Sequence, residues 1–188
     1  MRIAITALIG GIVFFIWGAI AHTVLPIGTM GMHLGTPESA TLAALKQDAG
    51  SAGVYVYPSL PREKMQDAAA MKAFAEANKN NAYAFVVYQP GGNSAQADMT
   101  PNLIKQFVGD LLSAFVVAFV LALGAFGFAK RVFISTALGA FSWLTVSVPY
   151  WNWYLFPFDF TVGNLLEQVI GWMLAGMAMA WWLGRRQR

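Results

Sequence analysis

The chain has 188 residues, of which 57% are hydrophobic and 11% charged, with a formal net charge of +3 and no cysteine. Soluble domains run near ~45–50% apolar and ~25% charged, so an ordinary water-facing exterior is excluded and a membrane class comes first. The missing cysteines exclude disulfides, thiolate metal sites and a cysteine nucleophile, and the chain holds no N-x-S/T sequon.

The first element is the uncharged run Ile3–Ala21, read as a transmembrane helix over residues 1–24. Arg2, the apolar run and "AIA" at residues 19–21 also fit a secretory signal with its cleavage site. The run is long for a signal, and the reading taken is an uncleaved anchor helix.

Residues 25–105 form an insert. Its bases (Lys46, Arg62, Lys64, Lys72, Lys79, Lys105) balance its acids (Glu38, Asp48, Glu63, Asp67, Glu76, Asp98), which leaves no electrostatic footprint for nucleic acid. Thr36, Pro37 and Glu38 predict a capped helix start, closed at Gly50. "GVYVYP" at 53–58 and "YAFVVYQ" at 83–89 predict strands, with a helix over 61–80 between them. Two strands alone are marginal in water, so a helix, the 25–35 segment or another protein must cover or extend them. Residues 90–98 predict a loop.

A second span is expected over 106–129, its helix starting near residue 101, and a third over 132–150. An aromatic outer loop over 151–161 follows, then a fourth span over 162–184. Arg2, Lys130, Arg131, Arg185, Arg186 and Arg188 flank these runs with no acid among them. Under the positive-inside rule, four crossings with both termini in the cytoplasm place every cluster inside. The expected fold is therefore membrane α-helical: a four-span helical bundle, N-in and C-in, with a small extracytoplasmic α/β insert between spans 1 and 2. A bacterial inner membrane is expected, with the insert facing the periplasm or exterior.

Counted at ~1.5 Å per residue from the inner bases, His22, Asp110, Tyr150 and Glu167 all lie about 27–30 Å up, near the outer edge of the hydrocarbon. Each shares a helix face with small residues, and Asn164 lies on the face of Glu167. His22, Asp110, Tyr150, Asn164 and Glu167 are thus a candidate polar or ligand-binding cluster. Acids at that depth need pairing, hydration or protonation. His22, Asp110 and Glu167 form a conceivable set for a divalent metal ion. His33 could add a second imidazole, though an exposed place in its loop suits it better. Trp151, Trp153, Tyr154 and Phe156 read as an aromatic interface at the membrane boundary, or a platform for a bound lipid, a quinone-like ring or a partner helix. Pro149 and Pro157 are expected to break helix there.

No H-E-x-x-H, phosphate loop or G-x-S-x-G motif is present. The leading expectation is a non-catalytic accessory or binding subunit of a membrane assembly. It would meet membrane lipids and other membrane subunits or further copies of itself. The alternative is a membrane-embedded enzyme or metal-binding protein acting on a lipid or quinol, with Glu167 or Asp110 in acid–base work. A transporter or a sensor ranks lower, because the inner halves of the spans lack polar residues and the tails are short.

Overall fold

The computed structural model describes residues 1–36 and 40–185. In chain order the elements are α1 (Arg2–Thr23), α2 (Ala40–Asp48), β1 (Gly53–Tyr57), α3 (Ala68–Asn78), β2 (Ala84–Tyr88), α4 (Thr100–Ala122), α5 (Phe128–Tyr154) and α6 (Phe158–Gly184). Short 3-10 turns lie at Ile27–Thr29, Arg62–Lys64 and Ser94–Gln96. The chain divides into a helical unit, built from residues up to His33 and from Ala95 onward, and an insert unit, Leu34–Ser94.

In the helical unit, α1 packs against α4 and α6, and α5 packs against α6. The core is Phe14, Ala114, Val117, Ala118, Leu121, Trp172, Ala175, Met179 and Leu183, drawn from α1, α4 and α6. Phe14 stacks on Trp172 with ring centroids 4.5 Å apart. Lipid-facing helices gain little from burying apolar surface against each other, so close van der Waals packing must hold them. Glycine makes that approach possible. A Cβ at Gly171 would stand 2.7 Å from ring carbons of both Phe14 and Trp17. Gly139 lies directly over the backbone of α6.

Hydrogen bonds fasten the helices where packing alone has no direction. Arg2 Nη2 donates to the Leu183 carbonyl near the last turn of α6. Trp17 Nε1 donates to the Glu167 carbonyl at 3.0 Å, and Trp143 Nε1 to the Thr161 carbonyl at 2.8 Å. Ser142 Oγ bridges the Gly139 carbonyl at 2.8 Å and Gln168 Oε1 at 3.2 Å, tying α5 to α6.

The expected four-span bundle is not what the structure holds. Three helices are long and apolar enough to cross a membrane among the described residues: Arg2–Thr23, Thr100–Ala122 and Phe128–Tyr154. The helix α6 is long enough, but Asp159, Asn164, Glu167 and Gln168 crowd its first half and dilute its apolar character. It is instead the helix with the most buried positions, nine from Thr161 to Leu183, clasped by α1 and α5. The N-in, C-in assignment rested on four crossings and lapses with them.

Two boundaries also move. The second span ends at Ala122, not 129: the Phe126 amide bonds the Gly124 carbonyl at 2.8 Å in a tight turn before α5. The aromatic stretch is mostly not a loop. Helix α5 runs through Pro149 to Tyr154, and only Leu155, Phe156 and Pro157 separate it from α6. Leu155 takes the left-handed conformation, with φ 55°, and ends the helix. Proline is tolerated inside membrane helices because neighbouring helices, side chains and local backbone adjustment re-satisfy the carbonyl it leaves free.

In the insert unit, β1 and β2 pair antiparallel with Gly53 opposite Tyr88 and Tyr57 opposite Ala84. This two-stranded ladder is the whole sheet. The helix expected over 61–80 opens later, at Ala68, because Asp67 caps it: its carboxylate accepts from Ala69 N at 2.9 Å and Ala70 N at 3.1 Å. Pro61 leads into the Arg62–Lys64 turn instead. Of the predicted helix start, Pro37 and Glu38 lie outside the described residues, and α2 is described from Ala40. Ala49 is the one buried residue among those described in this unit.

Candidate polar site at one end of the helical unit

The candidate site sits at the end of the helical unit where α1 finishes, α6 begins and α4 makes its first turns. Helix α1 carries His22 in its last turn. Pro26 and the Ile27–Thr29 turn then fold the chain back over it: a Cβ at Gly28 would stand 2.3 Å from the His22 ring, so any larger residue there must displace the imidazole. The same segment lies on α6, where a Cβ at Gly163 would stand 2.7 Å from the Ile27 carbonyl oxygen. Gly31, at φ +72°, completes the turn beside Asp159 and Phe160.

Under this cover His22 Nε2 stands 3.3 Å from Glu167 Oε1. The imidazole is half exposed and the carboxylate is mostly covered, at 51% and 20% side-chain exposure. A carboxylate this sheltered needs a partner, and the His22 imidazole stands within reach of it. Trp17 anchors the backbone of the same residue, so Glu167 is held from both its main chain and its side chain. Asp110, buried on α4, accepts from Gln106 Nε2 at 2.8 Å and lies near enough to Glu167 for the two carboxylates to interact. Gln106 is one turn before Asp110 on α4, a neighbour that the i, i+4 rule could have identified in the sequence.

The five residues of the predicted cluster divide between two places. His22 and Glu167 meet, with Asp110 nearby. Tyr150 and Asn164 line a separate groove of about 250 Å³ between α5 and α6, together with Val146, Ser147, Phe156 and Phe160. The Asn164 amide donates to the Phe160 carbonyl at 2.8 Å, along its own helix. The depth count placed His22, Asp110, Tyr150 and Glu167 at one level and the helix face added Asn164, but level does not specify which pair of helices a side chain lies between. No group of three His, Asp or Glu side chains that could hold a metal ion occurs among the described residues, so the expected His22, Asp110 and Glu167 ligand set is not assembled.

The aromatic residues form a chain of ring contacts. Tyr150 meets Tyr154 at 5.5 Å and Phe156 at 5.2 Å, Phe156 meets Phe160 at 5.4 Å, and Trp151 meets Phe158 at 6.0 Å. Trp153 stays 75% exposed, so its large ring faces outward from the unit. Edge-on and tilted contacts of this kind are the geometries that aromatic quadrupoles favour. His33 is exposed.

No protein-family model matches the chain, and no curated protein or solved structure matches it. The geometry alone therefore carries the functional reading. The apolar helices make this a small, mostly helical, membrane-associated protein.

Proposed function

We propose that the chain is a non-catalytic accessory or binding subunit of a membrane assembly, with the His22–Glu167 pair as a local polar anchor. The observation that carries this reading is the insert unit. A two-stranded sheet has an unpaired edge on each strand, and one buried residue is far short of a core. Val54 and Val87, opposite each other in the ladder, are 59% and 75% exposed. Such a surface suits strand addition or a helix from another subunit.

The setting in which it works is a bacterial inner membrane. Lys130 and Arg131 follow the apolar helix α4, and cationic turns of this kind are retained on the cytoplasmic side. The insert then works on the extracytoplasmic side. The exposed aromatic rings of Trp151, Trp153 and Tyr154 suit the boundary with lipid headgroups or a neighbouring subunit.

The test is gentle extraction from the native membrane followed by native mass spectrometry, with Val54→Lys/Val87→Lys as the interface variant. Other subunits bound to the wild-type chain and lost from the variant support the role. A chain that emerges alone, with hydrogen-exchange protection across β1 and β2 unchanged in the variant, refutes it. An enzyme reading rests only on the His22–Glu167 pair with Asp110 nearby, which is acid–base chemistry without a pocket lined by those residues among the described ones.

A further inference from the structure

At the opposite end of the helical unit a cation is buried with no counter-charge among the described residues. Arg131, in the first turn of α5, is 4% exposed. Its Nε is buried without a hydrogen-bond partner, and no carboxylate pairs with it among the described residues. A buried guanidinium left in this state is costly, and burial of a charge ordinarily comes with a counter-charge.

Two cavities open on this side chain. The larger, about 560 Å³, is lined by Gly127, Phe128, Arg131, Trp181 and Arg185, among others. The smaller, about 260 Å³, puts Arg2 beside Arg131. Three arginines thus converge with no acid among the lining residues. The amide end of α5 opens onto the larger cavity from Gly127, and no side chain caps it. A long helix with free first-turn amides attracts an anion. Arg185 is itself oriented, its guanidinium 3.8 Å over the Trp181 ring. Phe128 and Trp181 are about half exposed and supply apolar walls beside the charged floor.

We propose that the cavity over Arg131 is an anion site that takes a phosphate group, supplied by the headgroup of an anionic phospholipid. Guanidinium groups match phosphate oxygens in fork geometry, and helix-end amides add donors. The apolar walls fit the start of acyl chains, which a free ion would not use. The flanking positions of apolar helices are where a headgroup is met.

The test uses the full chain in neutral detergent, stripped of lipid. Dioleoyl phosphatidylglycerol, dioleoylglycerol and inorganic phosphate are titrated separately, with the thermal midpoint and the native mass read in each case. The expected result is one tightly held phosphatidylglycerol that raises the midpoint, no such effect from dioleoylglycerol, and at least tenfold weaker phosphatidylglycerol binding in Arg131→Gln. Lys105→Gln, a cation on the first turns of α4, should bind like the wild type. Inorganic phosphate that reproduces the midpoint shift and displaces the lipid would overturn the headgroup as source. Wild-type affinity in Arg131→Gln would overturn the site. If that variant does not fold, Arg185→Gln serves instead, and unchanged affinity there has the same meaning.

Discussion

Gly139→Ala tests the packing of α5 on α6 most directly. The added Cβ would stand 2.6 Å from the Gln168 carbonyl oxygen and 3.0 Å from Cβ and Cδ1 of Trp172. Ordinary contact begins at 3.4 Å, so the two helices must part by about 0.8 Å at this point. The obstructing atom is backbone, which cannot rotate away as a side chain can. Overpacking of this kind costs about 1–3 kcal/mol, against which alanine recovers up to about 1 kcal/mol of helix propensity. The net expectation is a loss of up to about 2 kcal/mol, toward the upper end because the obstruction is backbone. The Ser142 bridge lies one turn along the same seam, and its contact with Gln168 should loosen as well. Reversible unfolding in mixed micelles, followed by tryptophan fluorescence, measures the difference. Gly109→Ala is the control, since a Cβ there meets nothing within 4 Å, and it should be neutral or stabilising by up to about 1 kcal/mol. A Gly139→Ala protein as stable as the wild type, or a Gly109→Ala protein equally damaged, would refute the reasoning.

Three further outcomes are expected. Ser142→Ala removes the side-chain bridge between α5 and α6 and should cost about 0.6 kcal/mol in the same unfolding assay, the usual size of such a bond between membrane helices. Asp67→Ala removes the acceptor for Ala69 N and Ala70 N; a loss of about 1 kcal/mol should speed hydrogen exchange of the α3 amides about fivefold while leaving α4 amides unchanged. The Asp48 carboxylate near the Tyr57 hydroxyl, an oxygen buried without a close hydrogen bond, pushes that phenol's pKa up to about 12. Because the folded value lies above the ordinary value of 10, this contact stabilises the insert fully below pH 10 and is lost as pH rises through about 12. Asp48→Asn should bring the Tyr57 ultraviolet titration, isolated by difference from Tyr57→Phe, back toward 10; an unmoved midpoint would exclude Asp48 as the cause.

Local chemistry made part of this protein legible from its residues. An uncharged run from Ile3 to Ala21 leaves a helix as the only way to satisfy its backbone in an apolar setting, and α1 covers it. The β-branched and aromatic residues of 53–58 and 83–89 locate β1 and β2 to within a residue at each end. Thr100 and Pro101 mark the start of α4, where the Thr100 amide also finds the Asp98 carboxylate at 2.9 Å. These signals are short-range, so the sequence alone carries them. Tertiary structure decided what depends on which surfaces meet. The length of α6 suggested a span, but its polar first half serves a packed interior position, with Glu167 against His22 and Gln168 against Ser142. Pro149 reads as a helix breaker in isolation, yet the chain carries helix past it to Leu155. His22, Asp110, Tyr150 and Glu167 share a depth, which counting residues can supply, and Asn164 joins them by helix face. Their division between the α1–α6 pair and the α5–α6 groove follows from helix rotation and pairing, which no count along one helix contains. The uncompensated charge of Arg131 is of the same kind: a base beside a turn in the sequence becomes a buried cation only when α6 closes over it.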